Sequence, residues 1–248
     1  MKILRRLLIG RHFAFLLIAI CLPPGAMLAQ KSKAPAPPPS TSPSSEKAVT
    51  AQLIALRDSF VSEIKAEGFQ PSLPPPNIIL DNPPSYGAYD DDTNVVHVAL
   101  WEQLGPEQQA QFADLFGQGD DGGQAFAEIV QHWIFTHELG HWWQACQHRT
   151  GGSHYAQESG ASRIAAAYWR VNDAAFMDKT AKKIALVRDN LRSMVPPDEQ
   201  NEEFFNENYK KLGPTPAYIW FQCDMVSKVL AERPLPSYRQ ALEKPLYP

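Results

Sequence analysis

Residues 124–148 read as one long helix, apolar over much of its surface, with His137-Glu138-Leu139-Gly140-His141 in its middle. Histidines four apart leave a helix from the same face, so their imidazoles can converge on one ion. Glu138, one residue after the first histidine, can reach a water held by that ion without being a ligand, the place for a general base. Zinc brings the pKa of such a water to about 7, so hydroxide becomes available at neutral pH. A catalytic zinc needs a third protein ligand and one open position. Thr150-Gly151-Gly152-Ser153 breaks the helix and turns the chain, and a second helix is expected over 158–171. Sixteen residues lie between His141 and Glu158. That spacing lets an antiparallel helix return beside the first, with Glu158 facing the ion from its first turn. The alternative for Glu158 is a first-turn glutamate that interacts with the helix dipole.

The start of the chain reads as an export signal. Lys2, Arg5, Arg6 and Arg11 precede a ten-residue apolar run over 13–22, Pro23-Pro24-Gly25 stops any helix, and Ala29 offers a cut ahead of Gln30. A signal peptide over 1–29 implies an exported protein, periplasmic or secreted. The run falls short of the roughly 20 residues a spanning helix needs, so an uncleaved anchor is the alternative. Ile20 before Cys21 argues against a lipoprotein signal. Residues 30–45 are Ser, Pro, Ala and Lys with almost no large apolar side chain, a disordered spacer on composition. The folded domain is expected over 46–248.

Cleavage would leave 19 basic and 27 acidic residues, a net charge of −8. That balance argues against nucleic acid or an anionic membrane surface as partner. It also leaves two cysteines, Cys146 and Cys223, which either pair or stay as buried thiols.

Along the domain, Leu53, Leu56, Phe60 and Ile64 recur at helical spacing after Ser45 as cap, and Gly68 suits the stop. Residues 77–80 and 93–100 are expected strands, the second the better one, with a loop over 81–92 between them. Helices are expected over 106–116, 124–148, 158–171, 182–195, 198–212 and 216–232. A small sheet followed by several helices makes an α+β domain.

The motif and the downstream glutamate resemble the gluzincin metallopeptidases over about 80 residues, specifically at the motif and weakly elsewhere. The whole chain looks closer to small, exported, single-domain members than to the thermolysin type. The resemblance implies a mostly helical zincin-like fold in which His137, His141 and Glu158 bind Zn2+ and Glu138 is the base. It implies a strand beside the active-site helix that aligns an extended peptide, and residues 93–100 are its candidate. One position departs: Ser162 stands where the group often carries an aspartate that supports a ligand histidine. Such supporting residues alter metal affinity or activity about 10–100-fold.

His148, His154, Tyr155, Tyr168 and Tyr218 are candidates for the donor to a developing oxyanion. His148, two turns past His141 on a similar face, could line the cleft, and the alternative for each of the five is an ordinary packed or surface residue. His97 and His132 read as structural, Trp133, Trp142 and Trp143 as core, and Asp90-Asp91-Asp92 as a solvated turn. The expected activity is zinc-dependent hydrolysis of a peptide or protein substrate. The alternative is an exported binding or scaffolding protein that keeps zinc for structure. Oligomeric state, cleavage preference and biological role are not legible in the residues.

Overall fold

Alanine and glycine set how closely helices can approach, and residues 154–172 hold both. In a computed structural model that describes residues 43–117, 121–213 and 215–246, this stretch is helix α5 (His154–Asn172). Ser153 caps it by accepting from the Ala156 N–H at 3.0 Å. Gly160, Ala161, Ala165, Ala166 and Ala167 are all buried, and a helix enclosed on most sides becomes the centre of the domain. The cap starts α5 four residues before the expected boundary. Glu158 therefore sits in the second turn rather than the first, past the free N–H groups on which a dipole reading would rest.

The motif helix is α4 (Phe135–Cys146). A π-helical segment, Ala127–Ile134, leads into it from α3 (Gly122–Phe126). α4 ends at Cys146, and His148 takes a left-handed φ of 53° beyond it. That turn carries His148 onto the exposed surface, so it does not continue the face of His141. Trp142 and Trp143 are fully buried and Trp133 nearly so. The two inner indoles also satisfy backbone carbonyls: Trp142 Nε1 donates to Pro74 O at 3.0 Å and Trp143 Nε1 to Leu242 O at 2.9 Å.

A three-stranded sheet covers the other side of α4. Its order is β1 (Asn77–Leu80), β3 (Val95–Val98), β2 (Gly87–Asp90). β1 runs parallel to β3 and β2 antiparallel to it. Only the middle of the expected 93–100 strand is regular, and it lies at the centre of the sheet with both neighbours in place. The edge strand beside the motif is β2, inside the stretch expected to be a loop. Its Asn, Pro, Gly and Asp content hid it, because those residues serve the turns on both sides. Asp90 accepts from the Asp92 N–H and the Thr93 hydroxyl, and Asn94 takes the positive φ of 54° that closes the hairpin.

Among the described residues, the remaining α-helices are α1 (Pro43–Ala66), α2 (Pro106–Phe112), α6 (Ala174–Leu191), α7 (Glu202–Leu212), α8 (Pro216–Ala231) and α9 (Tyr238–Glu243). α1 buries Leu53, Phe60 and Ile64 as their spacing implies, and Gly68 (φ 87°) ends it. It begins inside the expected spacer, so Ser45 is within the helix and is not its cap. The rest of the expected signal and spacer, 1–42, lies outside the described residues. α6 begins eight residues earlier than expected because Asp173 caps it through the Phe176 N–H. The architecture is α+β. Cys146 and Cys223 are buried free thiols. Among the described residues no helix is long and apolar enough to cross a membrane.

α4 and α5 meet at Gly140, between the two motif histidines. A Cβ there would stand 2.9 Å from both the Cα and the carbonyl oxygen of Ala161. Backbone cannot swing aside, so Gly140→Ala must part the helices. Overpacking of this kind costs about 1–3 kcal/mol, and better helix propensity returns about 1 kcal/mol. The expected result is a fall in thermal midpoint of about 2–4 °C per kcal/mol lost. A rise in the midpoint would contradict the close crossing.

Candidate metal centre

His137 and His141, one turn apart on α4, hold their rings at 4.7 Å and nearly perpendicular. Their Nε2 atoms lie 3.1 Å apart. Glu158 Oε2, on the facing turn of α5, lies 3.1 Å from His137 Nε2 and 3.5 Å from His141 Nε2. A tetrahedral zinc with bonds of 2.0–2.1 Å spaces its ligand atoms by about 3.3–3.4 Å. The three atoms therefore form a triangle of the size that such an ion requires.

The opposite ring nitrogens are engaged. His137 Nδ1 is 3.1 Å from the buried Ser162 hydroxyl, and His141 Nδ1 is 2.9 Å from Gln144 Oε1. With Nδ1–H donating in each ring, both Nε2 atoms present lone pairs to a carboxylate oxygen. When both rings are neutral three acceptors converge, and either a metal ion or a proton on a histidine Nε2 reconciles them. Glu158 is held by two further donors: the Tyr209 hydroxyl to Oε1 at 2.8 Å and the Gln222 amide to Oε2 at 3.0 Å. His154 stacks on Tyr209 at 3.9 Å between ring centroids and so steadies that phenol. Among the described residues, the other acidic or histidine group close enough to share an ion is Asp90-Asp91-Asp92, mostly exposed on its hairpin.

Glu138 leaves α4 toward β2, where its Oε2 accepts from the Tyr89 N–H at 2.8 Å. Gly87 makes the approach possible, since a Cβ there would collide with Ile134 Cγ2. Glu138 is buried, and burial raises its carboxyl above the usual range even though the histidines and the Tyr89 N–H pull it down. Burial would also raise Glu158, but the charge of His141 and the bonds from both histidines hold it well below the usual range. For His141, burial works downward, and the neighbouring Glu158 carboxylate overcomes it and raises the imidazole to about 9.

The structure thus brings His137, His141 and Glu158 to one point, with Glu138 beside them. Of the candidate oxyanion donors, Tyr218 is close enough to the centre for Glu158, Tyr209 and Glu138 all to add to the upward push of burial on its phenol. It stays a neutral donor. His154 lies one residue layer away, against Tyr209. Tyr155 and Tyr168 are committed elsewhere, to Lys228 and Ser59 respectively. His97 pairs with Asp81 at 2.7 Å, and His132 bonds the Ala127 carbonyl. Sequence reading missed Tyr209, Gln222 and Gln144. Gln144 stands at i+3 from His141, a spacing that places it on the ligand's face. Tyr209 and Gln222 arrive on α7 and α8, and no local pattern marks them.

Comparison with family models, with curated proteins and with solved structures finds no match.

Without an ion, His141 carries a proton below about pH 9 while Glu158 stays ionised. Ion capture must expel that proton, so apparent affinity should rise about tenfold per pH unit up to pH 9 and level off above it. The ion-free fold should lose stability as pH climbs from the free-histidine value through about 9, because the raised pKa favours the folded state only while the proton is bound. Titration calorimetry in buffers of differing ionisation enthalpy would count the proton released. A value of zero at pH 7 would refute this charge state.

Proposed function

We propose that this chain is a gluzincin-like, zinc-dependent hydrolase with a zincin-like fold, and that its substrate is a peptide or protein outside the cytoplasm. The observation that carries the reading is the convergence of two histidine Nε2 atoms and one carboxylate oxygen at 3.1–3.5 Å, with a buried carboxylate next to them. His137, His141 and Glu158 would hold the ion and leave one position open. The ion supplies Lewis acidity, which makes water a nucleophile at neutral pH and polarises a carbonyl.

Glu138 is suited to take and return a proton. Its Oε2 is pinned by the Tyr89 N–H, which fixes the carboxylate plane, and its raised pKa brings it nearer to neutral pH, where a general base works best. The proton it takes from water would pass to the departing amine. Tyr218, whose phenol is kept neutral by burial and the neighbouring carboxylates, is the proposed donor to a developing oxyanion. β2, rather than the central β3, has the outer edge on which an extended peptide would lie beside Glu138. The apolar run and basic start at 1–29 support export, to periplasm or medium. The uncharged support of His137 by Ser162 is the observation that favours the other reading, a structural ion in a binding protein.

Glu138→Gln separates the two. Under the hydrolase reading it should cut peptide turnover by about 10²–10⁴-fold while zinc content, measured by mass spectrometry of the metal, stays stoichiometric. His137→Ala should lose the metal and the activity together. Glu138→Gln with wild-type turnover would remove Glu138 as the base, and stoichiometric zinc with no hydrolysis of a diverse peptide library would favour the structural role.

A further inference from the structure

Gln144 is 2% exposed and makes three bonds through one amide. Its Oε1 accepts from His141 Nδ1 at 2.9 Å, and its Nε2 donates to the Gln157 carbonyl at 2.8 Å and the Pro245 carbonyl at 2.7 Å. Backbone carbonyls can only accept, so the amide nitrogen must face them and the oxygen must face His141. An acceptor opposite Nδ1 keeps a proton there, so that the proton released on ion capture comes from Nε2, the atom aimed at His137 and Glu158, and frees its lone pair. In the other neutral tautomer, Nε2 carries the hydrogen and cannot ligate.

Pro245 lies 101 residues from Gln144, in the segment that follows α9. The last turn of α9 and that segment are held at several points. The Leu242 carbonyl accepts from Trp143 Nε1 at 2.9 Å, in the residue next to Gln144. Pro245 O and Leu246 lie against Gly160 of α5, where a Cβ would strike the Pro245 carbonyl oxygen and come within 2.9 Å of the Leu246 Cα. α4, α5 and the segment therefore share one buried contact, and the Gln144 amide is at its middle.

We propose that Gln144 is a positioning residue, clamped by residues 242–246, that locks His141 in the Nδ1–H tautomer and so makes ion capture depend on a segment remote from the motif. The proposal rests on the metal reading above and extends it to residues that no ion would touch.

The test compares the wild-type chain with Gln144→Met, which keeps the bulk and removes all three bonds. It also includes Gly160→Ala, whose Cβ would drive the Pro245 carbonyl away and crowd Gln144 Nε2 from 2.9 Å, so that it strains the clamp and the amide together. Zn2+ affinity is read by competition with a chromophoric chelator. The protonated ring nitrogen of His141 is read by nitrogen-15 NMR of the zinc-loaded protein, and folding by circular dichroism. Wild type should show a slowly exchanging Nδ1–H. Gln144→Met should lose about 10–100-fold in zinc affinity together with that protection. Gly160→Ala should move both readouts the same way, by about tenfold in affinity. Trp143→Phe, which removes the donor to Leu242, serves as a second probe of the clamp should Gly160→Ala fail to fold. Unchanged affinity in Gln144→Met would overturn the whole proposal. Unchanged affinity in both Gly160→Ala and Trp143→Phe would overturn the clamp. A wild-type chain that captures no zinc would instead overturn the metal reading, a result distinct from equal capture by every variant.

Discussion

Two helices can bring their backbones together only where neither carries a side chain at the crossing, and α4 meets α5 at Gly140 with the Ala161 backbone directly opposite. His137 and His141 flank that glycine on one helix, and Glu158 precedes the alanine by less than one turn on the other. The crossing therefore fixes how far the carboxylate can stand from the imidazoles. A wider crossing would leave the three atoms too far apart for one ion. The glycine at the centre of the motif is a packing requirement, whatever chemistry its neighbours perform.

The groups that orient the three atoms are uncharged: Ser162 for His137, Gln144 for His141, Tyr209 and Gln222 for Glu158. In the proposed zinc-bound state, two neutral histidines and one carboxylate would offset a single charge of the divalent ion, and neutral partners would leave the rest in place. A supporting carboxylate would instead add basicity to its histidine. Under the proposed hydrolase reading, that residual positive charge would stabilise a developing oxyanion in a buried setting, where electrostatic effects are strong. Buried amides and phenols also have defined geometry, since each donor and acceptor must be matched. Gln144 shows this most clearly: three bonds allow one orientation.

Much was legible in the residues. The motif marked a helix and three of the site's side chains, because spacing within one helix translates directly into position. The downstream glutamate was legible through the glycine break and the expected return of a second helix. Its place within that helix was misread by four residues because Ser153 is the cap, as a serine after two glycines allows. β2 was invisible because its four residues depend on pairing with β3 and on Gly87 fitting beneath Ile134, and both are contacts across the fold. His148 would extend the ligand face only in a helix that ran past Cys146.

By itself, the sequence determined the α+β character, the helix that carries His137, Glu138 and His141, and the burial of the tryptophans beside them. These follow from periodicity and local geometry, which need only neighbours in the chain. Tertiary structure alone decided which strand lies beside Glu138, which phenol and amide hold Glu158, and how residues near 245 come to touch the partner of His141. Those contacts join elements up to 101 residues apart. A hydrogen bond between such elements leaves no period or spacing in the sequence, because its geometry exists only once both surfaces have packed.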